Sequence, residues 1–204
     1  MTAAYRCLCR AAASLLIALP AVSQVGSASL SNAVGTSTEV NRKLLPAEFA
    51  ALAQRCAQGV PEEIMAGIAR TESAMYPYAI SINYPEHKAH QNGYSGKVVM
   101  LKQPHDKTEA IHWAQWYLSK GYTVSVGLVQ VNVEMANKLG VKPMTLFEPC
   151  LNLAAGAKIL RMDYAAALRT NSGLVGSFSL YNSGSPSLGI ANGYASTVVK
   201  NTQK

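Results

Sequence analysis

The chain is 204 residues long and 49% hydrophobic, which suits one compact domain with a real core and excludes a chain of several large domains. Its 18 basic and 11 acidic side chains give a formal net charge of +7. Such a modest excess suits a partner that is an anionic polymer, such as a cell wall or nucleic acid, but a solvated basic surface is the commoner cause. The net charge alone therefore does not identify a partner.

The first 28 residues have the features of a secretory signal. Arg6 and Arg10 precede an apolar run at residues 11–19, and small residues lead to a cleavage site near Ala28. The run is too short to span a bilayer. We therefore predict export to the periplasm and no stable membrane span after cleavage, with an uncleaved anchor as the alternative.

Cleavage would leave a domain at residues 44–204, preceded by a flexible polar lead at residues 29–43. Loss of Arg6 and Arg10 lowers the net charge from +7 to +5. Of the four cysteines, only Cys56 and Cys150 remain. Because an exported domain meets an oxidising compartment, we predict a disulfide between them; two buried free thiols are the alternative.

Residues 61–77 predict one helix around which the domain is organised. Pro61 suits the first helical position and Pro77 forbids continuation. At 100° per residue, Glu72 falls within the apolar arc. A carboxylate there needs a partner, a proton or a cleft, so Glu72 is either a proton donor or a buried structural glutamate with a partner.

Helical periodicity also recurs on both sides of that helix. One helical pattern begins after Pro46. A loop-rich insertion follows at residues 83–103, and after it Asp106 and Glu109 form a capping-box pattern that marks the start of another helix. The insertion contains at most a small hairpin. Helical patterns occupy residues 107–120, 133–139, 150–171, 174–181 and 195–204. Together they predict a mostly α domain.

Two polar side chains, Gln130 and Asn132, alternate with valines and therefore share one side of the chain. Asn132 can also cap the helix that follows it, which is its structural alternative. Gln130 has no such local use, and its amide suits sugar hydroxyls and N-acetyl groups.

No zinc-ligand spacing, phosphate-binding glycine loop or nucleophile motif occurs in the sequence. His87 and His90 lie in the insertion without further ligands at suitable spacing, so we interpret them as solvated loop residues. We accordingly predict neither a metal nor a cofactor.

Four blocks follow one another along the chain: IARTES at 68–73, GLVQVN at 127–132, FSLYNSG at 178–184 and YASTVV at 194–199. In this order and spacing they resemble the lytic transglycosylases of the lysozyme-like superfamily, also called SLT. A fifth block, PCLNLAAG at 149–156, and the cysteine pair strengthen the resemblance, which covers residues 45–199. The insertion and the segment 181–194 look most like the subgroup associated with type IV secretion and conjugation machines.

The resemblance implies a lysozyme-like α-helical domain that cleaves the bond between N-acetylmuramic acid and N-acetylglucosamine in peptidoglycan, with Glu72 as the single acid and base. It further implies glycan strands and envelope components of a secretion system as partners, no nucleic acid, and a monomer. The other matching positions carry these expected roles: Ser73 polarises Glu72 or its surroundings, Gln130 and Asn132 line the glycan groove, Tyr181 directs its hydroxyl to Glu72, Asn182 shapes the neighbouring turn, and Tyr194 closes the cleft.

Two alternatives to this function remain at the level of sequence. One is a non-catalytic peptidoglycan-binding adaptor on the same fold, and the other is a muramidase that uses water. An adaptor has no need of Glu72 in an apolar arc. Against the muramidase, Asp106 and Glu109 are explained by a helix start, which leaves Glu86 as the unplaced acid between Glu72 and Gln130.

Overall fold

The computed structural model describes residues 39–83, 97–99 and 102–204, and this part of the chain is mostly helical, as predicted. A single-turn 3₁₀ helix, Pro143–Phe147, precedes the longest helix. The helices are α1 Pro46–Cys56, α2 Glu62–Glu72, α3 Lys107–Ser119, α4 Val133–Lys138, α5 Pro149–Arg169, α6 Gly173–Ser183, α7 Leu188–Ala191 and α8 Tyr194–Thr202.

An antiparallel sheet of four short strands lies among these helices. Its strands are β1 Ile80–Asn83, β2 Lys97–Val99, β3 Thr123–Val126 and β4 Val131–Asn132, in the order β2-β1-β3-β4. The β1–β2 pairing, with Ser81 opposite Val99, confirms the predicted hairpin. The sheet extends further than expected, because β3 and β4 also pair through Ser125 and Asn132. His87 and His90 lie outside the described residues.

Helix α2 lies in the core, as its apolar face predicts. Met65 and Ile68 are fully buried. Gly67 allows α8 to approach closely, since a Cβ atom there would lie only 2.6 Å from Cγ2 of Thr202 and 3.0 Å from the carbonyl oxygen of Val198. This close packing joins α2 to the C-terminal half of α8, where the Arg70 side chain also donates to the Asn201 carbonyl at 2.8 Å.

The end of α2 differs from the prediction. The helix stops at Glu72, well before Pro77, and Ala74 and Met75 adopt positive φ angles of 52° and 72°. Left-handed backbone is unfavourable for residues with a Cβ atom, and such strain is typical of functional sites. The turn is held by burial of the Met75 side chain, which is 4% exposed, and by a 3.0 Å bond from the Leu44 N–H to the Met75 carbonyl.

Residues 39–43, which the sequence placed in a flexible lead, are bonded to the domain. Asn41 is bonded through its side chain, donating to the Pro104 carbonyl at 2.9 Å and accepting from the Tyr78 N–H at 3.1 Å. Residues 39–43 therefore belong to the folded part, because the side-chain amide of Asn41 joins two distant segments. None of the helices in the described part of the chain is long and apolar enough to cross a membrane.

The predicted disulfide is confirmed. Cys56, the last residue of α1, is bonded to Cys150 in the first turn of α5, with 5.2 Å between their Cα atoms and a sequence separation of 94. The bond therefore ties the end of α1 to the start of α5, the helix that carries one wall of the groove described below.

Removing this disulfide is expected to lower the free energy of unfolding by about 2–4 kcal/mol, since closure of so long a loop restricts the unfolded chain. Thermal unfolding of Cys56→Ala/Cys150→Ala, with reduced and oxidised wild-type protein beside it, measures the effect. A melting temperature equal to that of the oxidised wild type would show that the cross-link adds nothing.

Candidate active site

A groove of about 690 Å³ opens beside the C-terminal end of α2, and Glu72 forms part of its wall. One side is formed by the sheet and the other by α5 and α6, so that residues far apart in sequence meet here. The sheet side contains Ser81, Asn83, Ser125, Gln130, Val131 and Asn132, and the helical side contains Ile159, Asp163, Leu180, Tyr181 and Asn182.

Glu72 is bonded to Tyr194 of α8. The Tyr194 hydroxyl donates to Oε1 of Glu72 at 2.6 Å. Burial, the charge of Glu72 and this hydrogen bond raise the pKa of Tyr194 well above its ordinary value, so the hydroxyl keeps its proton and acts as a donor. The bond fixes the orientation of the Glu72 carboxyl, a group that donates when protonated and accepts when ionised.

The hydroxyls of the two tyrosines have different partners, and Tyr194 is the one bonded to Glu72. Tyr181 was predicted to direct its hydroxyl toward Glu72; in the structure the hydroxyl donates to the Val129 carbonyl at 2.7 Å, with Glu72 within electrostatic range. Gly156 permits this contact, since a Cβ atom there would lie 2.4 Å from Val129 Cγ2 and 3.1 Å from the Tyr181 hydroxyl. Tyr194, expected to close the cleft, contacts the carboxyl instead.

Burial raises the pKa of Tyr181 well above its ordinary value, and the charges of Glu72 and Asp163 raise it further. Tyr181 thus lies within electrostatic range of both carboxyls while its hydroxyl is committed to the loop at residues 127–130.

Gln130 forms part of the groove but has a structural use that the sequence did not indicate. Its Nε2 donates to the carbonyls of Ala79 at 3.0 Å and Gly127 at 2.9 Å, and its backbone has a positive φ of 49°. Both amide hydrogens therefore hold the turn between β3 and β4. The Gln130 Oε1 is buried and has no hydrogen-bond donor in the described part of the chain.

Asn152 of α5 fixes the same turn from beneath. It is fully buried; its Oδ1 accepts from the Val129 N–H at 2.9 Å, and its Nδ2 donates to the Val126 carbonyl at 2.8 Å. A Cβ atom on Gly127, whose φ is 82°, would lie 2.3 Å from this Nδ2. Asn152 belongs to the 149–156 block, but its role depends on a contact 23 residues away that periodicity cannot indicate.

The remaining predicted site residues lie nearby with their polar groups partly engaged. Asn132 lines the groove and also caps α4, accepting from the Glu134 N–H at 2.8 Å, so the structural alternative for it is confirmed. Asn182 lines the groove and accepts from Asn192 at 3.1 Å. Ser73, which follows Glu72, donates to the Ala69 carbonyl at 3.1 Å.

Asp163 is a groove residue that sequence reasoning missed. It lies on the buried stripe of α5, in register with Gly156, Leu160 and Ala167, and the helical-face test that singled out Glu72 would have found it. Burial raises its pKa to about 6. Its Oδ2 is buried and, within the described residues, has no donor.

Replacing Asp163 with asparagine is expected to stabilise the fold above pH 6, by about 1 kcal/mol or 2–4 °C in melting temperature at pH 8. The folded-state pKa of about 6 exceeds the ordinary 3.8, so wild-type stability falls as pH rises through about 6. Thermal unfolding of both proteins from pH 4 to pH 8 checks this. The gain should vanish towards pH 4, and a constant difference would contradict the assignment.

Residues 39–83, 97–99 and 102–204 contain no group of three His, Cys, Asp or Glu side chains arranged to hold a metal ion. The groove instead offers one oriented carboxyl, a second carboxyl with a raised pKa, and amide groups. Such a set can exchange protons with a bound molecule and hydrogen-bond to it.

Comparison with known proteins shows the family of the chain. The Transglycosylase SLT domain family matches residues 49–203. The type IV secretion system protein virB1 of Brucella abortus is 36% identical over 141 residues, which are 67% of this chain and 54% of that protein. The protein virB1 of Rhizobium radiobacter is 30% identical over 165 residues, 79% of this chain and 64% of that protein.

A third relative, the protein virB1 of Agrobacterium fabrum, is 31% identical over 156 residues, 74% of this chain and 58% of that protein. The matches thus span just over half to nearly two thirds of the length of these relatives. No solved structure matches the chain. The family match includes Glu72, the 127–132 turn and both tyrosines, and the chain belongs to the Transglycosylase SLT domain family.

Proposed function

We propose that the protein is a peptidoglycan lytic transglycosylase that cleaves between N-acetylmuramic acid and N-acetylglucosamine and leaves a 1,6-anhydro end. The observation that carries this proposal is the Tyr194–Glu72 pair, an oriented carboxyl at the side of a groove large enough for sugar residues. Family membership supports the same reaction class.

Glu72 supplies both proton transfers in the proposed mechanism. As an acid it protonates the glycosidic oxygen as the bond to the anomeric carbon breaks. The resulting carboxylate then takes the proton of the muramic 6-hydroxyl, whose oxygen attacks the anomeric carbon. The nucleophile is part of the same sugar, so the reaction is intramolecular and consumes no water.

The other groove residues bind and orient the glycan in this proposal. Tyr194 holds the Glu72 carboxyl in one orientation, while the rigid turn made by Gln130 and Asn152 keeps the sheet side of the groove in place. Asn132 and Asn182 both line the groove and offer amide groups to a glycan. Ser73 acts only through the end of α2.

The relatives named as type IV secretion proteins suggest where such an activity is used. We propose that the protein acts in the periplasm after export, where it opens the wall locally for a secretion or conjugation apparatus. Its partners would be glycan strands and envelope components of that apparatus.

Digestion of purified peptidoglycan followed by mass analysis of the soluble fragments tests the activity. Fragments one water lighter than reducing-end products are expected. Failure to release any fragment, with the protein still sedimenting on cell walls, would contradict the enzyme and favour a non-catalytic adaptor.

A water-using muramidase is the second candidate, and Asp163 is the observation that favours it. Many glycosidases use two carboxyl groups, one as acid and one as base or nucleophile. Asp163 is a second carboxyl in the groove and lies within electrostatic range of Tyr181, as does Glu72. Reducing ends in the digest would support this candidate over the transglycosylase.

A further inference from the structure

Three oxygen atoms belonging to groove residues are buried without a hydrogen-bond donor in the described part of the chain. They are Oδ1 of Asn83, Oε1 of Gln130 and Oδ2 of Asp163. A buried acceptor without a donor costs about 1–3 kcal/mol, and native proteins contain few of them. These three are also the whole set of such side-chain atoms found in residues 39–83, 97–99 and 102–204.

The position of Gln130 Oε1 is fixed by its neighbours. Gln130 is 7% exposed, and both of its amide hydrogens bond to backbone carbonyls, which leaves the oxygen no freedom to exchange places with the nitrogen. Asn152 holds the backbone turn that carries Gln130, because its side chain accepts from the Val129 N–H. Gln130 Oε1 is therefore an acceptor in a fixed position on a residue that lines the groove.

Among the described residues of the groove, the ionisable side chains are acidic and none is a basic donor. Glu72 and Asp163 are the only ionisable acids or bases apart from Tyr181 among the described lining residues, and none of those residues is a lysine, arginine or histidine. The hydroxyl of Tyr181 is committed to Val129. A ligand that carries hydroxyl or amide N–H groups would supply donors that the described side chains do not give these oxygens.

We propose that Asp163, with Asn83 and Gln130, forms an acceptor subsite that binds hydroxyl or amide N–H groups of a sugar residue in the glycan strand. The inference rests on the proposed function, since it takes the glycan as the ligand of the groove. Asp163 is the adaptable member, because rotation about its Cβ–Cγ bond presents either carboxyl oxygen to the ligand. Its role is binding, and the proton transfers remain with Glu72.

A binding role for Asp163 predicts opposite effects of its replacement on protein stability and on glycan affinity. Asp163→Asn is expected to stabilise the free protein above pH 6, because it removes a partly buried charge. The same change weakens glycan binding, because a neutral amide oxygen is a poorer acceptor than a carboxylate. Stability and affinity thus move in opposite directions.

The test measures glycan binding by calorimetry with peptide-free glycan strands in a Glu72→Gln background, which prevents turnover. At pH 7.5 a second change, Asp163→Leu, should weaken binding about tenfold, the loss of one charged hydrogen bond. The matched control is Glu63→Gln in the same background, an exposed carboxyl on α2 that does not line this groove. Its affinity should equal that of the background.

A pH series isolates Asp163 further. With Glu72 replaced, and with the pKa values of Tyr181 and Tyr194 raised well above 10, Asp163 is the described groove residue that titrates between pH 5 and pH 8. Affinity should rise through pH 6 in the background protein and stay flat when Asp163→Asn is added.

Equal affinity of the Glu72→Gln protein with and without Asp163→Leu would overturn the subsite and leave the proposed reaction intact. Absence of glycan binding by the Glu72→Gln protein itself would overturn both. Should Asp163→Leu fail to fold, Asp163→Asn decides the question, and unchanged affinity at pH 7.5 would count against the subsite.

Discussion

Replacing Glu72 with glutamine is expected to lower the rate of peptidoglycan cleavage about 10³-fold, within the range that general acid–base catalysis contributes. Glutamine keeps the size of the side chain, and its carbonyl oxygen can still accept the Tyr194 hydroxyl, which donates to Glu72 at 2.6 Å in the wild type. It can neither give nor take the proton. Release of soluble fragments from purified peptidoglycan measures the loss.

Glu63→Gln provides the control for that experiment, because it removes a carboxyl from the exposed side of the same helix. Its activity and melting temperature should match those of the wild type, and the melting temperature of Glu72→Gln should lie within a few degrees. A Glu72→Gln protein that is folded and retains a tenth or more of the wild-type rate would show that another group transfers the proton.

The paired changes Tyr194→Phe and Tyr181→Phe are expected to have different main effects, because their hydroxyls have different partners. Loss of the Tyr194 hydroxyl releases the Glu72 carboxyl from its orientation and should lower the cleavage rate about 10–100-fold. Loss of the Tyr181 hydroxyl leaves the Val129 carbonyl without that donor and should lower the free energy of unfolding by about 1–3 kcal/mol.

Cleavage rates and thermal unfolding, measured on both variants, separate the two roles. The rate should fall further in Tyr194→Phe than in Tyr181→Phe, and stability should fall further in Tyr181→Phe. The reverse order for the rates would restore the role that sequence resemblance assigned to Tyr181.

Local patterns predicted the helices and the position of Glu72 well. The 3.6-residue period and Pro61 indicate α2, and the place of Glu72 on the apolar arc marks it as unusual before any tertiary contact is known. The disulfide followed from the count of cysteines after export. These predictions succeeded because each depends on neighbouring residues or on compartment chemistry.

Predictions that depend on distant contacts were less accurate. A motif indicates that Tyr181 belongs to the site but not which acceptor its hydroxyl reaches, and that choice is made by Gly156, which lets Val129 approach. The early end of α2 follows from burial of Met75 and not from Pro77. Asp163 was missed although its helical position marks it in the way that marked Glu72.

The central claim is that Glu72 directs an attack by the muramic 6-hydroxyl and not by water. Digestion of peptidoglycan in water enriched in heavy oxygen, followed by mass analysis of the new sugar ends, tests it most directly. The account predicts anhydro ends that carry no heavy oxygen. Incorporation of heavy oxygen at the anomeric carbon during cleavage would contradict it and identify a hydrolase.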